Sequence, residues 1–183
     1  MSITALDSTA ALIVIDLQAG TLSNPTVHPS AQIVAKSVEL ITAFRAKGLP
    51  VVLASVVGSP AGLNNYGGGA REYPAGFSVL APELDVQDGD ILVPRSTWSA
   101  FAGTDLSLTL KELGVTQVVL AGVATSFGVE STARGAYDLG YNVVVATDAI
   151  TDLRAESHEA SVARVFPVLA QTGTVAEVVA ALG

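Results

Sequence analysis

Ala10-Ala11-Leu12-Ile13-Val14-Ile15-Asp16 is a run of six apolar residues closed by a carboxylate. Six residues fall far short of a membrane span. An unbroken apolar run of strand length, with no polar alternation, predicts a strand covered on both faces. The same grammar repeats downstream. Val51 to Val57, Ile91-Leu92-Val93, Gln117 to Ala121 and Asn142 to Ala146 each read as buried strands. Between them lie helical patterns. Ser30 is read as the cap of a helix bearing Ile33, Val34, Val38, Ile41 and Phe44, with Gly48 as its stop. Thr104 is read as the cap of a second, carrying Leu106, Leu108, Leu110 and Leu113 up to Gly114. Thr125 to Leu139 and Asp152 toward Phe166 make two more. Thr174-Val175 reads as an edge strand before a short last helix.

Strands alternating with helices predict an α/β fold, a Rossmann-like three-layer α/β/α arrangement around a mostly parallel sheet. The 183 residues, 1–183, are expected to form one domain that buries roughly 70% of its unfolded surface. Half the residues are hydrophobic and only 14% are charged, which excludes a disordered chain and predicts that another copy covers part of the surface, a homo-oligomer. Net charge is −8 and the nine basic residues are scattered singly, so nucleic acid is not an expected partner, nor is a membrane. Residues 1–7 lack the basic and apolar halves of a secretion signal, and a cytoplasmic location is the expectation.

Sheets of this kind bind ligands at the carboxyl ends of their strands, at the switch in strand order. Four places then matter: Asp16 and its followers, Pro94 to Phe101, Gly122 to Gly128, and Asp148. Asp16 is either a general acid or base, its pKa raised by apolar walls, or the cap of the next turn. Gln18 is a substrate or water contact, or a loop hydrogen-bonder. Arg95 is a fixed cation for a substrate carboxylate, a partner for Asp16, or a surface arginine. Trp98, the only tryptophan, is a pocket wall or a core filler. Ala124, Thr125, Ser126 and Phe127 open a helix whose free N–H groups suit an oxyanion or carboxylate. This turn is neither a Walker loop, since no Lys follows the second Gly, nor a nucleophile elbow around Ser126. Gly67-Gly68-Gly69 belongs to a Gly- and Pro-rich segment, Gly58 to Pro82, read as a flexible loop or a lid; it carries Glu72 and Arg71, the latter a candidate substrate contact. His28 and His158 form no ligand-spaced cluster, so no metal and no cofactor is expected. There is no cysteine, which excludes a thiolate nucleophile.

Three segments taken together, Leu12 to Gln18, Arg95 to Phe101 and Gly122 to Val129 continuing to Thr132-Ala133, with Gly140-Tyr141 and Asp148-Ala149, resemble the isochorismatase-like hydrolase family. The family typically uses an Asp, a Lys and a Cys. Asp16 matches the Asp, Arg95 stands where the Lys is usual, and Gly128 stands where the Cys is usual. The resemblance also implies a non-proline cis peptide at Val123–Ala124. The metal motif of the nicotinamidase branch is replaced by Val57-Gly58-Ser59-Pro60. Losing the Cys removes the acyl-enzyme route to amides. True isochorismatases also carry Gly at this position, and their resemblance implies another reaction, in which the Asp protonates a vinyl ether carbon and water completes cleavage to pyruvate. The expected substrate is a small anionic molecule, with Asp16 as acid, Arg95 as anion anchor, and the turn from Ala124 to Gly128 holding substrate oxygens. A binding protein without catalysis and a serine-dependent hydrolase using Ser126 are the alternatives.

Overall fold

A computed structural model of the chain describes residue 3 and residues 5–183. In chain order the elements are β1 (Ala10–Ile15), α1 (Ala19–Leu22), α2 (Ser30–Ala46), β2 (Val51–Val56), β3 (Gly58–Ser59), β4 (Arg71–Glu72), β5 (Ile91–Arg95), α3 (Leu106–Glu112), β6 (Gln117–Val123), α4 (Glu130–Asp138), β7 (Asn142–Thr151), α5 (Ala155–Ala160), α6 (Phe166–Leu169), β8 (Gln171–Gly173) and α7 (Val175–Ala181). Two wide π-helical turns, Thr125–Val129 and Ser161–Val165, lead into α4 and α6.

Six strands form one sheet in the order β5-β2-β1-β6-β7-β8, and every neighbouring pair is parallel. The expected α/β/α layering is present. Leu12 and Val14 of β1 face a core shared with Leu40, Ile41 and Phe44 of α2 and Val178 of α7. Ile13 and Ile15 face the opposite core with Leu106 and Leu110 of α3, Ala133 of α4 and Phe166. Both faces of β1 are sealed, which is why its sequence shows no alternation. Each aliphatic side chain so buried contributes about 2 kcal/mol.

Several boundaries differ from the expected ones. Ser30 is the first helical residue of α2 rather than its cap; Pro29 holds the cap position. Pro94 does not end its strand, because β5 is the sheet edge, where a missing N–H breaks no ladder, and pairing runs on to Val56 with Arg95. β6 continues through Gly122, whose φ of 121° and close approach to Ile15 leave no space for a side chain: a Cβ there would lie 2.1 Å from the Ile15 carbonyl oxygen. β7 runs past Asp148 to Thr151. The last edge strand is Gln171–Gly173, and Thr174 instead caps α7 in a reciprocal capping box with Glu177.

After β1 the chain moves toward β2 and β5, then returns to β6 on the other side. The switch in strand order therefore lies between the carboxyl ends of β1 and β6, where Asp16 and Ala124 sit.

Candidate active site

Asp16 follows directly on β1 with φ 52°, a left-handed conformation that Asp tolerates better than most residues. Its N–H donates to the Ala54 carbonyl at 2.9 Å, while its carbonyl accepts from the Gln18 N–H and the Thr21 hydroxyl. The residues that follow pair antiparallel with the segment around Leu80, which turns the chain away from the sheet and leaves the Asp16 side chain at the strand mouth.

Arg95 starts two strands away, roughly 10 Å to the side. Its long side chain crosses the end of β2. Nη1 donates to Asp16 Oδ1 at 2.7 Å, and Nη2 donates to Oδ2 at 3.0 Å and to the Trp98 carbonyl at 2.9 Å. Arg95 is 3% exposed and Asp16 7%. Of the three roles open to it, the geometry gives Arg95 that of partner to Asp16; the fork that was expected to anchor a substrate anion is spent. Burial pushes the Asp16 carboxyl above its ordinary range, and Arg95 offsets part of that rise.

Gly128 lies beside this pair. A Cβ at that position would be 3.3 Å from Asp16 Oδ2, 3.3 Å from Arg95 Nη2 and 2.8 Å from Ile15 Cγ2. The space that a nucleophilic side chain would need is therefore occupied from below by a fully buried isoleucine and bounded by the ion pair. The peptide Val123–Ala124 is cis, as the resemblance implied.

A cavity of about 310 Å³ opens above these groups. Asp16, Gly128, Ala124 and the wall of Trp98 and Phe127 were anticipated. Trp98 meets Phe127 edge to face with ring centroids 5.0 Å apart, and Tyr73 packs against Phe77 at 4.5 Å. Tyr73, Phe77, Thr21, Asn24 and Leu153 also line it, and none of them stood out in the sequence. The Gly and Pro content of the loop carrying Tyr73 and Phe77 masked its aromatic pair; the four-residue spacing of those two aromatics was the available signal.

Other anticipated residues have different employment. Gln18 does not line the cavity. Its amide nitrogen donates to the Val56 and Phe77 carbonyls and its oxygen accepts from the Val56 N–H, so it ties the Phe77 wall to the end of β2. Asp148 accepts from the Val175 N–H at the start of α7, away from the crevice, because β7 is longer than expected. In the turn after β6, the Ser126 N–H donates to Asp152 Oδ2 at 2.7 Å, and the Phe127 and Val129 N–H groups return to the Ala124 carbonyl. Those three donors are not available to a substrate oxygen. Ser126 does not line the cavity. The hydroxyl that meets an imidazole is that of Thr125, fully buried and 2.9 Å from His158 Nδ1. The His158 ring is edge-on to His28, centroids 5.0 Å apart. Burial, and then the neighbouring His28, push the His158 pKa below its ordinary value of 6.5. Arg71 lies outside this cavity, on the wall of an adjoining chamber. Among the described residues no group of three or more His, Asp or Glu side chains has the spacing of a metal site, and no helix is long and apolar enough to cross a membrane.

Comparison with known proteins agrees with this geometry. The isochorismatase domain model matches residues 10–177. The isochorismatase family protein YwoC of Bacillus subtilis (strain 168) is 37% identical over 174 residues, covering 91% of this chain and 90% of that protein. The ureidoacrylate amidohydrolase RutB of Stutzerimonas stutzeri (strain A1501) is 32% identical over 172 residues, covering 78% of this chain and 69% of that protein. The solved structure of an isochorismatase family protein from Burkholderia thailandensis superposes with a TM-score of 0.93 at 40% identity, covering 99% of both chains. With a parallel sheet and a carboxylate at its switch point, the chain belongs to the isochorismatase family of hydrolases, and its sequence holds no cysteine.

Proposed function

We propose that this protein hydrolyses a small anionic enol ether, with Asp16 as general acid and no covalent intermediate. The observation that carries the reading is the floor of the cavity: a buried carboxyl faces the space beside Gly128, and no nucleophile stands there. Asp16 delivers a proton to the terminal carbon of the C=C–O unit. The resulting oxocarbenium ion takes up water at the ether carbon, the water releases a proton that restores Asp16, and the hemiketal collapses to a ketone and an alcohol. One water is consumed and no electrons are exchanged. The raised Asp16 pKa suits a proton donor, and a substrate head that displaces water from the cavity raises it further. Arg95 orients the carboxyl and returns its charge balance after proton transfer. The aromatic walls favour an unsaturated, planar head. RutB is by name an amidohydrolase; an amide route through a thiolate has no residue to run on here.

We further place the protein in the cytoplasm as a homo-oligomer of a single domain spanning residues 1–183, acting on a small molecule rather than a nucleic acid. A binding role without turnover is favoured by one observation, the two-pronged neutralisation of Asp16 by Arg95. A panel of enol ethers, esters and amides separates the readings. Turnover of an enol ether that disappears in Asp16→Ala supports hydrolysis. Tight binding with no turnover of any class supports the binding role, and enol ether turnover unchanged in Asp16→Ala rejects the acid role.

A further inference from the structure

Beside the Asp16 cavity lies a larger chamber of about 620 Å³, between the loop that holds β3 and β4 and the segment after β5. Tyr73 and Trp98 line both spaces, so they form the shared wall. The chemistry of the second chamber differs from that of the first. It has no carboxylate in its lining and a single cation, Arg71. Among the described residues no carboxylate lies within 4 Å of the Arg71 side-chain nitrogens, in a chain of net charge −8. The one hydrogen bond of the Arg71 guanidinium is a long one, 3.5 Å to the Gly68 carbonyl. Asn64 spends its side-chain oxygen on the Tyr66 N–H, which leaves its amide N–H groups as donors. Ser131 adds a hydroxyl with no partner among the described residues. An unpaired guanidinium flanked by uncommitted donors recognises an anion.

We propose that the chamber is a second subsite that takes an anionic tail of the substrate, a carboxylate or a phosphate ester, on Arg71, while the unsaturated head enters the Asp16 cavity past Tyr73 and Trp98. The proposal rests on the reading of the Asp16 cavity as the place of reaction, and it defines the substrate class more narrowly: a molecule in two parts, with its charge remote from the bond that breaks. Arg71 is then a specificity residue that touches substrate but not the reacting atoms.

The fluorescence of Trp98, the only tryptophan, reports on the shared wall. The intact protein is titrated with three probes of matched length: 3-phenylpropan-1-ol, 3-phenylpropionate and 3-phenylpropyl phosphate. At least one anion is expected to bind about tenfold more tightly than the alcohol, as a charge-assisted contact at a partly open site provides. Arg71→Gln erases that preference and leaves the alcohol affinity and the melting temperature unchanged; Arg71→Lys keeps part of it. A stronger effect for the phosphate assigns a phosphate ester tail, and a stronger effect for the carboxylate assigns a carboxylate; both support the subsite. The proposal is overturned if neither anion binds more tightly than the alcohol, if neither perturbs Trp98 at millimolar concentration, or if the preference survives Arg71→Gln. The two readings fail separately. Loss of the anion preference leaves Asp16-dependent turnover standing, and turnover that ignores Asp16 leaves an Arg71-dependent preference standing.

Discussion

Asp16 and Arg95 form the ion pair on which both the fold and the proposed chemistry depend. Each lone partner would be a buried, uncompensated charge. Asp16→Asn therefore destabilises the protein by about 3–5 kcal/mol, measurable by urea unfolding, because Arg95 keeps its charge after its partner is gone. The double variant Asp16→Asn/Arg95→Met recovers part of that loss. The pH dependence has the opposite lean from a simple salt bridge. Burial raises the folded-state pKa of Asp16 above its unfolded value near 3.8, so the titration of Asp16 itself lowers stability as pH climbs through that interval. The proton donor is lost in the same direction, and turnover declines as pH rises through the Asp16 pKa of the substrate complex. Gly128→Cys does not restore a thiol hydrolase. Its Cβ would meet Ile15 Cγ2 at 2.8 Å, so we expect a loss of about 1–3 kcal/mol and no gain of amide hydrolysis. Asp16 and Arg95 stood out in the sequence because each directly follows or closes a recognisable strand, and Gly128 stood out only through the family resemblance. Gln18 takes the second of its two expected roles, that of a loop hydrogen-bonder, but its partners, Val56 and Phe77, come from distant segments that only the folded chain brings together.

At the scale of elements, the loop around His28 is held to the end of β7 and to α5. The Val27 N–H donates to the Asp152 carbonyl, the His28 N–H donates to Thr151 Oγ1, and the imidazoles of His28 and His158 meet edge to face. Since the folded pKa of His158 is below its unfolded value of 6.5, the unfolded chain binds the extra proton first, and stability falls as pH drops below about 6.5. Thermal melting from pH 8 to pH 5 reads this loss, and His158→Gln flattens it; an unchanged slope in that variant contradicts the assignment. Just after β8, Thr174→Ala removes the capping box of α7 and costs about 1 kcal/mol, measured by urea unfolding. Element type was readable from periodicity almost throughout. The ends were less so. Pro94 continues its strand because β5 is an edge, and Asp148 is interior to β7; neighbour relations in the sheet decide both, and no local pattern records them.

For the whole molecule, the buried strands and their helices made the parallel sheet legible from apolar runs alone. The wall of Tyr73 and Phe77 was not legible, since both sit in a loop whose composition signals only irregular backbone. The rim around the two chambers leaves Leu63, Tyr66, Trp98, Phe127 and Leu153 at least 40% exposed. We propose that a second copy covers part of this rim. Light scattering after gel filtration should give a multiple of the 18.6 kDa chain mass, and a single-chain mass at micromolar concentration contradicts the homo-oligomer.

Delivery of a proton from Asp16 to a carbon atom is read out by hydrolysis of an enol ether in D2O, followed by NMR of the product methyl group, for the wild type and Asp16→Asn. One deuterium enters that methyl group for each turnover of the wild type, and the folded variant loses about 10²–10⁴-fold in rate, if Asp16 is the acid. Equal rates for the two proteins, or a product methyl free of deuterium, would contradict it.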